Sequence, residues 1–230
     1  MIARVTKVVG LALTLACWYW ASSGQWSEAS KIGMIWCAPL FQYPITLLGR
    51  RALDAQPVTK RAEWVNIFVH YAMGIALGVG IFRAVLMVQQ HPTGALPVPQ
   101  QVGQVLVWLT GFATLLTVLN LALRGLGAPF AAKLSTRLAT DWMYAWTRNP
   151  MVLSVLALLL SVGLRYRSTW FVLWLVLIVS PGLIFFVRIY EERELEIRFG
   201  VSYMEYRART PLLWPRKPRP PGQRTRGAGA

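Results

Sequence analysis

Six long apolar runs divide this chain of 230 residues: Val8–Ala21, Ile32–Leu48, Trp64–Val88, Val102–Leu123, Met151–Leu164 and Thr169–Val187. A bilayer core is crossed by about 20 apolar residues of helix. In hydrocarbon, backbone groups find no water, so runs of this kind fold as helices. The pattern therefore predicts an all-α polytopic membrane bundle of about six segments. The fifth run is short, and only Arg165-Tyr166-Arg167-Ser168 joins it to the sixth. That spacing predicts a tight helical hairpin, tilted or not fully crossing.

Composition agrees with a membrane chain and excludes other classes. Hydrophobic residues make up 55%, charged residues 14%, and the net charge is +15. The positive charge lies between the apolar runs, not on solvated faces, which argues against a nucleic-acid partner. Cys17 and Cys37 sit inside apolar runs and read as small buried hydrophobes. His70 and His91 have no partner at ligand spacing, so no metal site is expected. His70 reads as inward packing, and Arg83 as a side chain snorkelling to the interface. Arg4 and Lys7 ahead of an apolar stretch also suit a signal peptide, but Trp18-Tyr19-Trp20 suits an interfacial belt better.

Loop charge gives an orientation. Arg50, Arg51, Lys60 and Arg61 lie in the second connection, and Arg124, Lys133, Arg137 and Arg148 in the fourth. The tail is more basic still. Cations favour the cytoplasmic side, so both termini and these two loops are placed there. Three regions follow: transmembrane helices over 1–123, a chemical region over 124–215, and a basic Pro/Gly-rich tail over 216–230 expected to be disordered.

Two stretches in the second region carry the chemistry. The first is Tyr144-Ala145-Trp146-Thr147-Arg148-Asn149-Pro150. Pro150 suits the first turn of a helix, and Asn149 suits its cap. The second runs from Glu191-Glu192 to Phe199-Gly200-Val201-Ser202-Tyr203-Met204-Glu205-Tyr206. Five of the nine carboxylates in the chain fall here: Glu191, Glu192, Glu194, Glu196 and Glu205. One reading is an amphipathic helix from Arg188 to Phe199 lying on the membrane, with Arg188–Glu192 and Glu194–Arg198 pairs and Gly200 ending it. Against this, Glu191 and Glu192 fall at the negative end of the preceding helix dipole, where a cationic ligand would relieve them.

Together the two stretches resemble the isoprenylcysteine carboxyl methyltransferase family and the related phospholipid methyltransferases. The shared pattern is Tyr144, Arg148-Asn149-Pro150, a helical hairpin, Glu191-Glu192, Phe199-Gly200, Tyr203, Tyr206 and Pro211, over roughly 134–215. The resemblance implies an integral membrane enzyme that uses S-adenosyl-L-methionine, with a lipophilic substrate entering laterally from the bilayer and the site facing the cytoplasm. It implies that a strand-like approach, Thr136-Arg137-Leu138-Ala139, touches the adenosine, chiefly through Leu138 and Ala139. It implies that Tyr144, Arg148, Asn149 and Pro150 line the cofactor, with the Arg148 fork suited to a carboxylate. Glu191, with Glu192, would take the cofactor's ammonium or ribose hydroxyls or act as base, and Arg188 would contact the substrate.

The family's arginine precedes its glutamate by four residues, whereas Arg188 precedes Glu191 by three and Glu192 by four. Thr136 stands where the family usually has histidine, Trp142 where it has glycine, Val152 where it commonly has tyrosine, and Leu212 where an arginine or small residue follows the proline. The methyl acceptor stays open between a carboxylate and an amine. A membrane reductase of steroid-reductase type and a non-catalytic protein with a decayed site are the other readings.

Overall fold

The computed structural model describes residues 2–91, 96–124 and 138–217. The described part is helical. Helix α1 spans Ile2–Ser23, α2 Glu28–Ala55, α3 Thr59–Gln90 and α4 Gln100–Arg124. A short α5, Met143–Trp146, precedes the hairpin of α6, Pro150–Arg165, and α7, Thr169–Phe199; α8, Val201–Arg209, closes the chain. Five of these are long and apolar enough to cross a membrane: α1 from Val5, α2, α3, α4 up to Asn120, and α7. The fifth predicted segment, α6, has 16 residues, about 24 Å of helix.

Helix α3 is the axis of the bundle. Some 56% of its apolar window is buried, against 11% for α1 and for α4, which face outward. Two clusters fill the interior. Toward one end, Ile35, Ala84, Val88, Leu159, Phe171, Trp174, Leu175 and Val179 pack together, and the Trp174 indole donates to the Ile35 carbonyl at 2.9 Å. Toward the other end, Leu53, Ala62, Val69, Met73, Phe186, Val187 and Tyr190 do the same. Lipid tails are as apolar as these side chains, so close fit and buried polar bonds hold the helices together.

Helices α4 and α6 show both devices. A Cβ on Gly103 would lie 2.4 Å from the Arg165 backbone, so only glycine lets the two helices approach this closely. Further along the seam, Thr110 donates to Ser161 and Thr117 meets Ser154, both at 3.3 Å. Interhelical bonds of this kind contribute about 0.6 kcal/mol each in a membrane.

The hairpin turn closes α6 with the Ser168 amide donating to the Gly163 carbonyl and the Arg167 amide to Leu164, with Arg167 at φ 55°. The Arg167 side chain then donates to the Leu96 carbonyl at 2.8 Å, and the Leu96 amide to the Arg167 carbonyl. The hairpin thus reaches the connection between α3 and α4, at the opposite end of the bundle from α5.

Helix α7 is one continuous element and not a membrane-surface segment after Arg188. It contains two wider π turns, Leu175–Val179 and Val187–Glu191. A π turn inserts one residue and rotates everything beyond it. The second one lies just ahead of the acidic cluster. It breaks the four-residue stacking of Arg188 over Glu192 and turns Glu192 and Glu194 inward, where both are buried. Arg50 of α2 donates to the Ile189 carbonyl of this widened turn at 2.9 Å.

Gly200 ends α7 at φ 51°, ψ −127° and starts α8. Trp142 starts α5 with nearly the same backbone, φ 54°, ψ −122°. Glycine adopts this region freely, whereas a side chain there costs about 1–3 kcal/mol. The glycine expected at position 142 therefore has a conformational reason, and the Trp142 ring is directed outward, 59% exposed. Trp142→Gly is expected to stabilise the detergent-solubilised protein by about 1 kcal/mol, read as a rise in thermal midpoint. A fall of similar size would mean that ring contacts outweigh the strain.

Candidate functional site

The two sequence stretches meet at one end of the bundle through a backbone clasp. The Arg148 amide donates to the Pro211 carbonyl at 2.9 Å, and the Arg216 amide to the Trp146 carbonyl at 3.0 Å. Thr147 Oγ1 and Asn149 Nδ2 both donate to the Leu212 carbonyl, at 3.0 and 3.3 Å. Asn149 stands at the cap position of α6, but its side chain does not cap the helix. Its amide is drawn instead to the strand of chain running beside it, and Pro150 opens the helix as expected.

Below the clasp lies a chain of charges. Arg148 Nη1 pairs with Glu192, whose other oxygen is 3.4 Å from Arg207 Nε. Arg207 also pairs with Glu196, Glu196 with Arg193, and Arg193 with Asp54 of α2, itself bonded to Arg50. Arg148 and Glu192 expose only 11% and 9% of their side chains. Losing one partner of such a pair is costly, because the other stays buried and charged. The expected Glu194–Arg198 pair forms at 2.7 Å. The Arg188–Glu192 pair does not, and Arg188 is exposed on α7.

Buried Tyr203 and Tyr206 and half-buried Tyr144 frame the cluster. Arg148 donates to the Tyr203 hydroxyl at 3.4 Å, and the Tyr206 hydroxyl donates to the Tyr144 carbonyl at 2.6 Å. Burial, followed by the charge of Glu192, pushes the Tyr203 hydroxyl up to about 12, so it stays neutral at any ordinary pH. Burial also raises Tyr144 and Tyr206. These rings therefore serve as neutral walls and hydrogen-bond groups, not as bases.

Among the described residues, Arg148 Nε is buried with no hydrogen-bond partner. Glu191 faces His70 of α3, with Nε2 3.4 Å from Oε1. His70 packs inward, edge-on against the stacked rings of Phe186 and Tyr190, as the sequence suggested, but the facing carboxylate was not foreseen. Its only sequence signal was a histidine in an apolar run. Arg83 lies elsewhere, buried and donating to the Ser22 carbonyl at 3.4 Å, so it does not snorkel outward. Leu138 and Ala139 are half-buried in irregular chain just before α5, not in a strand, while Thr136 and Arg137 lie outside the described residues. So does most of the basic tail.

Beside the clasp an apolar cleft of about 320 Å³ opens between α4 and α6, lined by Thr117, Met143, Trp146, Pro150, Ser154 and Pro215 among others. No group of His, Cys, Asp and Glu among the described residues could hold a metal ion.

Residues 99–202 match the family model of phospholipid methyltransferases. No curated protein and no solved structure gives a significant match. The matched region takes in α4, both hairpin helices, the Arg148 turn and the acidic end of α7. Over these residues the chain is similar to the phospholipid methyltransferases.

Proposed function

We propose that the chain transfers a methyl group from S-adenosyl-L-methionine to a lipid or lipidated acceptor at the cytoplasmic face of the membrane. One observation carries the reading beyond the family match: the clasp holds an unpartnered, buried Arg148 N–H in the same end of the bundle as Glu191. The cofactor's amino-acid part is a zwitterion and asks for that combination. Arg148 would take its carboxylate and Glu191 its ammonium, while Tyr144, Asn149, Pro150, Leu138 and Ala139 would wall the rest.

The bound cofactor supplies an electrophilic methyl, so the protein's task is to align an acceptor behind it and keep water away. A carboxylate acceptor needs no base. An amine must first lose a proton, for which Glu191 and Glu192 are the carboxylates at hand. Arg148 and Arg207 occupy Glu192, which makes it the anchor of the Arg148 fork, while Glu191 is the freer acid. Exposed Arg188 is suited to an anionic headgroup, and the apolar cleft beside Trp146 to a lipid tail.

The test is thermal unfolding in detergent with S-adenosylhomocysteine and, separately, a reduced nicotinamide dinucleotide. The midpoint should rise with S-adenosylhomocysteine concentration and not with the dinucleotide. The reverse result would favour the reductase reading. No shift with either at millimolar ligand would remove the methyltransferase proposal.

A further inference from the structure

His70 Nδ1 is 3.0 Å from the Asn66 carbonyl one turn back, and a carbonyl can only accept. The ring proton of the neutral imidazole therefore sits on Nδ1, which leaves Nε2 facing Glu191 Oε1 at 3.4 Å. With no further proton, two lone pairs would confront each other. One proton resolves this, whether it is written as imidazolium and carboxylate or as imidazole and carboxylic acid.

The surroundings make the same demand. From α7, Glu191 and Glu194 face the ring, and Glu194 is already paired with Arg198 at 2.7 Å. Tyr190 donates to Asn66 Oδ1 at 3.4 Å. Arg50 of α2 is committed to the Ile189 carbonyl and to Asp54. Tyr144 of α5 is neutral, and from α1 the Lys7 carbonyl accepts the Tyr71 hydroxyl. Among the described residues one carboxylate charge, that of Glu191, is left for a single cation to balance.

We infer that His70 is the proton-carrying partner of Glu191, so that a ligand ammonium takes its place on that carboxylate by expelling the proton to solvent. His70 is then an affinity-setting residue for cationic ligands. This rests on the proposed function in placing an ammonium at Glu191, but the ammonium can belong to the cofactor or to an amine headgroup. Because the ligand's charge and the imidazole's proton compete, affinity should rise with pH through the titration of His70 in the empty site and level off above it. The limiting slope is tenfold per pH unit.

The experiment is calorimetry of the detergent-solubilised full chain at about pH 6, near the ordinary histidine range, in buffers of different ionisation enthalpy. The probes are S-adenosylhomocysteine and a short-chain phospholipid with a primary amine. Close to one proton should be released per ligand for the probe whose ammonium reaches Glu191. Release should vanish in His70→Gln, which keeps a donor toward Glu191 and cannot titrate. The chain has two histidines. Nitrogen-15 histidine spectra, assigned with His91→Gln, should therefore show His70 Nε2 protonated when empty and deprotonated when bound.

Release with the amino-phospholipid alone supports the inference and places the ammonium on the substrate. Binding of S-adenosylhomocysteine with no proton release from either probe overturns the inference and leaves the proposed function standing. Equal release from His70→Gln also overturns it. If neither probe binds, both proposals fall.

Discussion

Replacing Arg148 with glutamine is expected to destabilise the protein by about 3 kcal/mol, the low end for breaking a buried ion pair. The substitution strands Glu192, which exposes only 9% of its side chain, with Arg207 at 3.4 Å as its remaining partner among the described residues. It also removes the bond to Tyr203. The backbone clasp through the Arg148 amide and Pro211 carbonyl does not depend on the side chain and should persist.

The double variant Arg148→Met, Glu192→Leu removes both charges and should recover most of the loss, because apolar replacements of similar volume substitute well for buried pairs. Unfolding in detergent of Arg148→Met, of Glu192→Leu and of the double closes a thermodynamic cycle. A loss below about 1 kcal/mol for Arg148→Gln would place the pair with solvent-exposed bridges and not with a buried anchor. The double variant should still lose affinity for S-adenosylhomocysteine, since the proposed carboxylate contact is gone. Recovered stability with lost binding is the signature that separates a ligand role from a structural one.

Much of this arrangement is legible in the sequence, and the remainder is hidden for physical reasons. Apolar runs of membrane length leave the backbone little choice but helix, so the segments can be read directly. Pro150 announces the start of α6, and the four residues from Arg165 to Ser168 announce its hairpin with α7. Gly200 announces the end of α7.

What periodicity cannot show is a π turn. The inserted residue in Val187–Glu191 rotates the acidic cluster off a regular helical wheel, so an apparent surface helix is in fact the buried end of α7. The same insertion bears on the spacing of Arg188 from the two glutamates, since residues four apart across it no longer stack. Long-range partners are equally invisible: nothing near Glu191 in the chain announces His70, and nothing near Asn149 announces Leu212. Trp142 is the opposite case. The sequence marks it as a departure from glycine, and only the backbone angle explains why glycine is preferred there.

The central claim is that Glu191 binds a cationic group of a ligand at a site built with Arg148. S-adenosylhomocysteine affinity in Glu191→Gln and in Glu196→Gln, measured beside the parent by calorimetry, tests it most directly. A hydrogen bond to a charged group is worth about 1.5–3 kcal/mol, so Glu191→Gln should weaken binding roughly ten- to a hundredfold. Glu196 is held by Arg193 and Arg207 along the charge chain. Its substitution should leave affinity unchanged within about twofold, a few tenths of a kcal/mol. Equal affinities for the parent and both variants would contradict the account and make the acidic end of α7 a purely structural cluster.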